Sequence, residues 1–157
     1  MLDKKEILSQ RLNKIEKHYI ALKDYHGLIE QMRNNRDLFT PTVFPELNIS
    51  ERAVLDAYLK RFSSLQDFLG AKIFPLLIEI SGIGANKMSE VLYHIEKEGI
   101  IDNLSHWIEL REARNDLEHD YPEELQQALN DLKYCIDSFS LLESYYINAQ
   151  DFAKRYL

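Results

Sequence analysis

A single cysteine, Cys135, rules out an internal disulfide, so the fold of this chain has to come from packing alone, and a reducing cytoplasm suits it. Cys135 falls in an apolar helical pattern and reads as a small buried hydrophobe. Glycine and proline are nearly as scarce, five and four in 157 residues, which leaves few sites for turns and favours long helices. No apolar run is long enough to span a bilayer, and the charged start Met-Leu-Asp-Lys-Lys-Glu leads into no apolar stretch, so a soluble, non-exported, cytoplasmic protein without a membrane partner is expected. Positive charge is short as well. With 26 acidic against 19 basic residues and a net charge of −7, the chain is not one that coats nucleic acid through a broad basic face, and any RNA contact has to be local. His18, His26, His94 and His106 reproduce no metal-ligand spacing with nearby carboxylates, so neither a metal nor another cofactor is expected. Glu123-Glu124 read as solvated acids of a first helical turn, and Gly82 and Gly84, with no strand before them and no Lys-Ser/Thr after, read as a turn and not a phosphate loop.

The chain is rich in Leu, Glu, Lys, Gln and Ala, and 45% of it is hydrophobic, enough for one all-α domain over 1–157 with a core of its own. Apolar residues at three- and four-residue steps (Ile7, Leu8, Leu12, Ile15, Tyr19, Leu22, Leu28 or Ile29, Met32) predict a first helix from Asp3 to Asn34. Residues 36–49, which hold Pro41 and Pro45 along with Phe39, Val43, Phe44 and Leu47, form a connection too apolar to stand in solvent and should pack across the domain. Ser50 is the expected N-cap of a second helix carrying Tyr58, Phe62, Leu65 and Leu69. Pro75 should kink that helix or start a new one. A third helix is expected from Asn86 to Glu98, stopped by Gly99, and a fourth capped by Asp102 or Asn103 and carrying Leu104, Trp107, Ile108 and Leu110. Pro122 should then open one long last helix with Leu125, Leu129, Leu132, Ile136, Phe139, Leu142, Tyr146 and Ala149 along one stripe. These elements sum to an antiparallel four- to five-helix bundle.

The chemistry concentrates in Arg114-Asn115-Asp116-Leu117-Glu118-His119-Asp120-Tyr121-Pro122. Arg114 is a permanent planar cation suited to phosphate oxygens, and His119 can exchange protons near neutral pH. Positions five apart on an unbroken helix point about 140° away from each other, so the two converge only if the helix ends between or just after them. Pro122 disfavours helix at Tyr121 and predicts unwinding around Glu118 to Asp120. The same residues also fit an ordinary helix end, with Arg114 and Glu118 as an i,i+4 ion pair, His119 against the helix C-terminus, Asn115 as a cap-region amide and Tyr121 half-buried under Pro122.

Arg, Asn, three residues, His, one residue, Tyr, with Trp107-Ile108 one to two turns upstream, resembles the signature of the HEPN superfamily, in particular HepT-like toxins paired with minimal nucleotidyltransferase antitoxins. The resemblance covers residues 104–122; elsewhere it is general, a small helical chain with the motif ahead of a long last helix. It implies a HEPN-like bundle acting as a metal-independent endoribonuclease toxin, as a homodimer whose two motifs face each other across a cleft. In that reading His119 is general base and acid at the ribose 2′-hydroxyl, Arg114 holds charge on the phosphorus oxygens, Asn115 orients them, and Tyr121 is the hydroxyl to which a nucleotidyltransferase antitoxin transfers AMP. Glu112, Asp116, Glu118, Asp120, Glu123 and Glu124 surround the motif, so Arg111, or Arg33, Arg36, Lys60 or Arg61, has to turn into the cleft for RNA to approach. A second reading from the same residues is a non-catalytic helical binding subunit of a nucleotidyltransferase.

Overall fold

In the structure, a computed structural model that describes residues 2–119 and 124–157, the chain is an all-helical bundle with no strand among the described residues. Helix α1 (Lys4–Arg33) is closed at its start by a capping box in which Asp3 accepts from the Glu6 amide and Glu6 reaches back, and it ends at Asn34. Its buried seam is Leu8, Ile15, Leu22 and Ile29, a strict seven-residue repeat, so Ile29 and not Leu28 faces the core. The connection that follows packs inward as expected, burying Leu38, Phe39 and Leu47.

Helix α2 (Ile49–Phe68) starts two residues earlier than Ser50 would place it. Asn48 is the cap, because Glu51 stands three residues on and completes a second capping box, whereas Ser50 has Ala53 at that distance. The helix does not stop before Pro75. It passes through a π-helical turn at Leu69–Ile73 into α3 (Phe74–Ile80), whose first turn holds the proline. Proline has no N–H to give and its ring crowds the carbonyl four residues back, so widening the turn to an i→i+5 bond, Phe74 to Leu69, lets the rod continue.

Helices α3 and α4 (Met88–Lys97) both end in a Schellman turn: Gly82 and Gly99 take left-handed φ values of 84° and 75°, and the amides of Ile83 and Ile100 reach back to Ile78 and Ile95. Asn103 caps α5 (Leu104–His119) through the His106 amide. The expected single last helix is two, α6 (Leu125–Asp137) and α7 (Phe139–Ala153), broken at Ser138, whose φ and ψ of −89° and 7° leave the helical region. The break turns Phe139 onto the His26 ring, centroids 4.3 Å apart. With α2 and α3 counted as one rod, the described residues form six rods where four or five were expected; Pro122 lies outside the described residues.

Helix α1 pairs antiparallel with both the α2 rod and the α6–α7 pair. Arg11, His18 and His26 of α1 meet Lys72, Arg61 and Tyr58 of the α2 rod, while Arg33, His26 and Tyr19 meet Asp137, Phe139 and Glu143 along α6 and α7. Tyr58 is wholly buried and donates to the Cys135 carbonyl at 2.8 Å. Cys135 is buried as expected, and desolvation together with Asp131 pushes its thiol up to about 12, well out of the reactive range.

The bundle's aromatic centre is Trp107, with Phe74 at 5.1 Å and Tyr145 at 5.9 Å between ring centroids. A Cβ on Gly70 would stand 3.1 Å from its Cζ2. Since the indole has Phe74 and Tyr145 on its other sides, Gly70→Ala is expected to lose about 1 kcal/mol despite the better helix propensity of alanine. Gly27→Ala, in the open on α1, is expected to gain about 0.5–1 kcal/mol. Urea unfolding of the two variants checks the opposite signs.

Candidate functional site

Helix α5 runs antiparallel to α2, and the seam between them is polar where the rest of the core is apolar. Ser63 Oγ donates to Glu118 Oε1 at 2.7 Å, Arg114 Nε donates to Gln66 Oε1 at 2.8 Å, and Gln66 Nε2 donates to the Trp107 carbonyl at 3.0 Å. An Nη2 donor of Arg114 completes the set on the Asp67 carboxylate. The guanidinium is therefore held in one plane by two residues of α2, and both polar atoms of the Gln66 side chain are engaged, the nitrogen donating to one turn of α5 and the oxygen accepting from another.

The two partners of the ion pair differ in burial. Arg114 is only 4% exposed, whereas the Asp67 side chain is 65% exposed. Beside them a pocket of about 280 Å³ opens between the π turn, α4 and α5, lined by Asp67, Gly70, Met88, Leu92, Trp107 and Arg111. The floor is apolar and aromatic, and the rim carries two guanidinium groups against one carboxylate. Such a pocket suits a small anionic group attached to something flat.

Several expectations change here. Helix α5 is unbroken through His119, so the unwinding expected around Glu118 has not begun by His119; intrahelical packing carries the helix to the last described residue before Pro122. Backbone positions 114 and 119 of one chain consequently stay about 140° apart around the axis. Arg114 does not sit on a solvent-facing helix end but in the α2–α5 seam. Nor does it pair with Glu118, which bonds Ser63. Asn115 is half-buried and makes no side-chain hydrogen bond among the described residues. The side chain of His119, and Asp120, Tyr121, Pro122 and Glu123 entirely, lie outside the described residues.

Of the basic residues considered for the cleft, Arg111 lines the pocket, while Arg33 pairs with Asp137 and Glu30, Arg36 with Glu51, and Arg61 with His18. Ser63, Gln66 and Asp67 escaped sequence reasoning. Their signal was present: Gln66 lies four residues after Phe62 and three before Leu69, an amide on the apolar stripe that needs a buried partner.

The opposite end of α5 holds a second polar cluster. Asp102 accepts from the Tyr145 hydroxyl at 2.6 Å and meets His106 Nδ1 at 2.5 Å. The hydrogen bonds from Tyr145 and His106 outweigh desolvation and hold the Asp102 carboxyl below its usual range, and the bond to Asp102 raises His106. Among the described residues no three His, Cys, Asp or Glu side chains gather as a metal site, and no helix is long and apolar enough to cross a membrane. No known protein family, characterised protein or solved structure matches the chain.

Two outcomes follow from these contacts. Arg114→Ala strips the buried Gln66 of its donor and is expected to cost about 1–3 kcal/mol, with Arg114→Lys recovering little because an ammonium cannot fork; chemical denaturation measures both. For His106 the sign is set by linkage: a raised folded-state pKa stabilises below the ordinary value of 6.5 and fades as pH rises through the raised one, and the lowered pKa of Asp102 stabilises above 3.8 and fades as pH falls. The Tm difference between wild type and His106→Ala should thus peak between those two values and shrink towards both alkaline and strongly acid pH.

Proposed function

We propose that this chain is the ribonuclease of a HEPN-type toxin-antitoxin pair, cutting RNA without a metal at a site that two copies share. The observation that carries the reading is the pocket beside Arg114, where a buried, pre-oriented guanidinium and the second cation of Arg111 stand one turn or more before His119 on the same helix. The HEPN-like character of the bundle rests on the Arg114, Asn115, His119, Tyr121 spacing with Trp107 upstream.

In this reading His119 takes the proton of a ribose 2′-hydroxyl, the 2′-oxygen attacks phosphorus, and the bond from phosphorus to the 5′-oxygen breaks. The proton passes to that 5′-oxygen, leaving a 2′,3′-cyclic phosphate and a 5′-hydroxyl. Arg114 stabilises the charge gathering on the non-bridging oxygens. The phosphate has to displace Asp67, and the exposure of that carboxylate lets it turn into water while the guanidinium stays in place. Asn115 helps orient the phosphate.

Because an unbroken α5 keeps positions 114 and 119 on different sides of the helix, one copy's pair does not readily meet at one phosphorus. A two-fold homodimer around α5 supplies the missing half, with Arg114 of one copy facing His119 of the other. A nucleotidyltransferase antitoxin would silence the site by placing AMP on Tyr121, whose added phosphate would compete for Arg114. The occupied fork of Arg114 also favours a second reading, a non-catalytic helical subunit that a nucleotidyltransferase binds.

The test is cleavage of single-stranded RNA in a chelator. His119→Ala should abolish it, and Arg111→Ala should lower it about tenfold or more by removing the entry cation, with light scattering showing a dimer at micromolar concentration. Undiminished cleavage by His119→Ala would remove the site, and a folded wild type with no cleavage under any condition would leave the binding-subunit reading. Intact-mass measurement after incubation with the partner nucleotidyltransferase and ATP should show AMP on wild type and none on Tyr121→Phe.

A further inference from the structure

On the face of the α2 rod that meets α1, basic residues gather in a chain that is acidic overall. Arg11, Lys14 and His18 follow one another along one face of α1, and Arg61, Phe68 and Lys72 answer them from the α2 rod. Arg11, Lys14, Phe68 and Lys72 line a groove of about 230 Å³. Arg11 Nη1 donates to the Lys72 carbonyl in the π turn at 2.8 Å, Arg61 Nη1 stands 3.0 Å from His18 Nδ1, and Lys14 Nζ lies 5.7 Å from the Phe68 ring centroid. None of these four cations makes an ion pair among the described residues, although Arg33, Arg36, Lys133 and Lys154 all do. Burial, Arg61 and Lys14 together lower the pKa of His18, as a locally positive potential requires.

The geometry points to this groove as a binding site for the sugar-phosphate backbone of single-stranded RNA. Arg11, Lys14 and Lys72 in the groove, with Arg61 further along the same seam between α1 and α2, offer donors to successive phosphates, and their own mutual repulsion is relieved when phosphates arrive. The groove also lies where a strand leaving the Arg114 pocket would pass. Asp67 and Ala71 line the pocket, and Phe68 and Lys72, the next residue after each, line the groove. Neighbouring helix positions differ by about 100°, so the two depressions occupy adjoining faces of one rod. The groove keeps the rest of the strand bound while the pocket holds a single phosphate, which is how a protein of net charge −7 can grip a polyanion. The choice of RNA among polyanions rests on the ribonuclease reading; the cationic groove does not.

Fluorescence anisotropy of a fluorescein-labelled oligouridylate, titrated with the full chain carrying His119→Ala so that the RNA survives, tests it at several salt concentrations. Lys14→Glu with Lys72→Glu should weaken binding about tenfold or more and flatten the dependence of log affinity on log salt by about 1.4, at 0.7 for each lost phosphate contact. Lys23→Glu with Lys97→Glu, the same charge change at exposed positions elsewhere, should stay within about twofold. If the first pair lowers the melting temperature below assay conditions, Lys14→Gln with Lys72→Gln gives the same direction at a smaller size. Equal losses in both pairs would show a net-charge effect and overturn the groove. So would an affinity insensitive to salt, or displacement of the oligonucleotide by inorganic phosphate at the same total phosphate concentration, which would mean a free-anion site. Binding that behaves as expected beside a wild type that does not cleave leaves the groove in place and sinks the nuclease.

Discussion

A guanidinium buried to 4% exposure has lost most of its hydration, and the structure around it consists largely of what replaces that water. Gln66 is committed to it, and through its amide to the Trp107 carbonyl, so the same residue that satisfies Arg114 also fixes the distance between α2 and α5. That distance brings the indole against Gly70, the position in the π turn where a side chain would not fit. The π turn is in turn the means by which the rod survives Pro75. One buried cation, one glycine and one proline thus depend on each other across two helices that are far apart in sequence.

The helices themselves were legible because their cause is local. The repeat Leu8, Ile15, Leu22, Ile29, the helix start at Asp3 and the stop at Gly99 are read within a few residues and stand where expected, and of the two caps offered for α5, Asp102 and Asn103, the second is used. The cap at Asn48 was missed in favour of Ser50, although the glutamate three residues on is the local signal that separates them. The break at Ser138 was not legible. The stripe from Leu129 to Ala149 continues across it without a change of period, and only the contact of Phe139 with His26, more than a hundred residues away, shows why the chain turns there.

The site divided in the same way. The motif residues stand out by type and spacing, but the environment of Arg114 comes from α2, and nothing within residues 104–122 specifies Gln66, Asp67 or Ser63. The burial of Arg114 is likewise not written in the motif, which reads equally as an ordinary helix end. Leu110 and Leu117, four residues before it and three after, are buried on the same face of α5, and Arg114 belongs to that face as much as they do.

The exposure of Asp67 gives the ion pair its particular character. A buried cation with a buried partner is a structural brace, and breaking it leaves an uncompensated charge in the core. Arg114 instead has one partner that cannot leave, Gln66, and one that can, since the Asp67 carboxylate is 65% exposed and recovers its hydration on turning outward. Any anion that replaces it meets a guanidinium already desolvated and already oriented, so the cost of arranging the site has been met in folding and not at the moment of binding. A phosphate, with more oxygens than a carboxylate and room in the adjoining pocket, is well matched to that exchange. The same contact that stabilises the resting fold would then set the threshold an incoming anion has to cross.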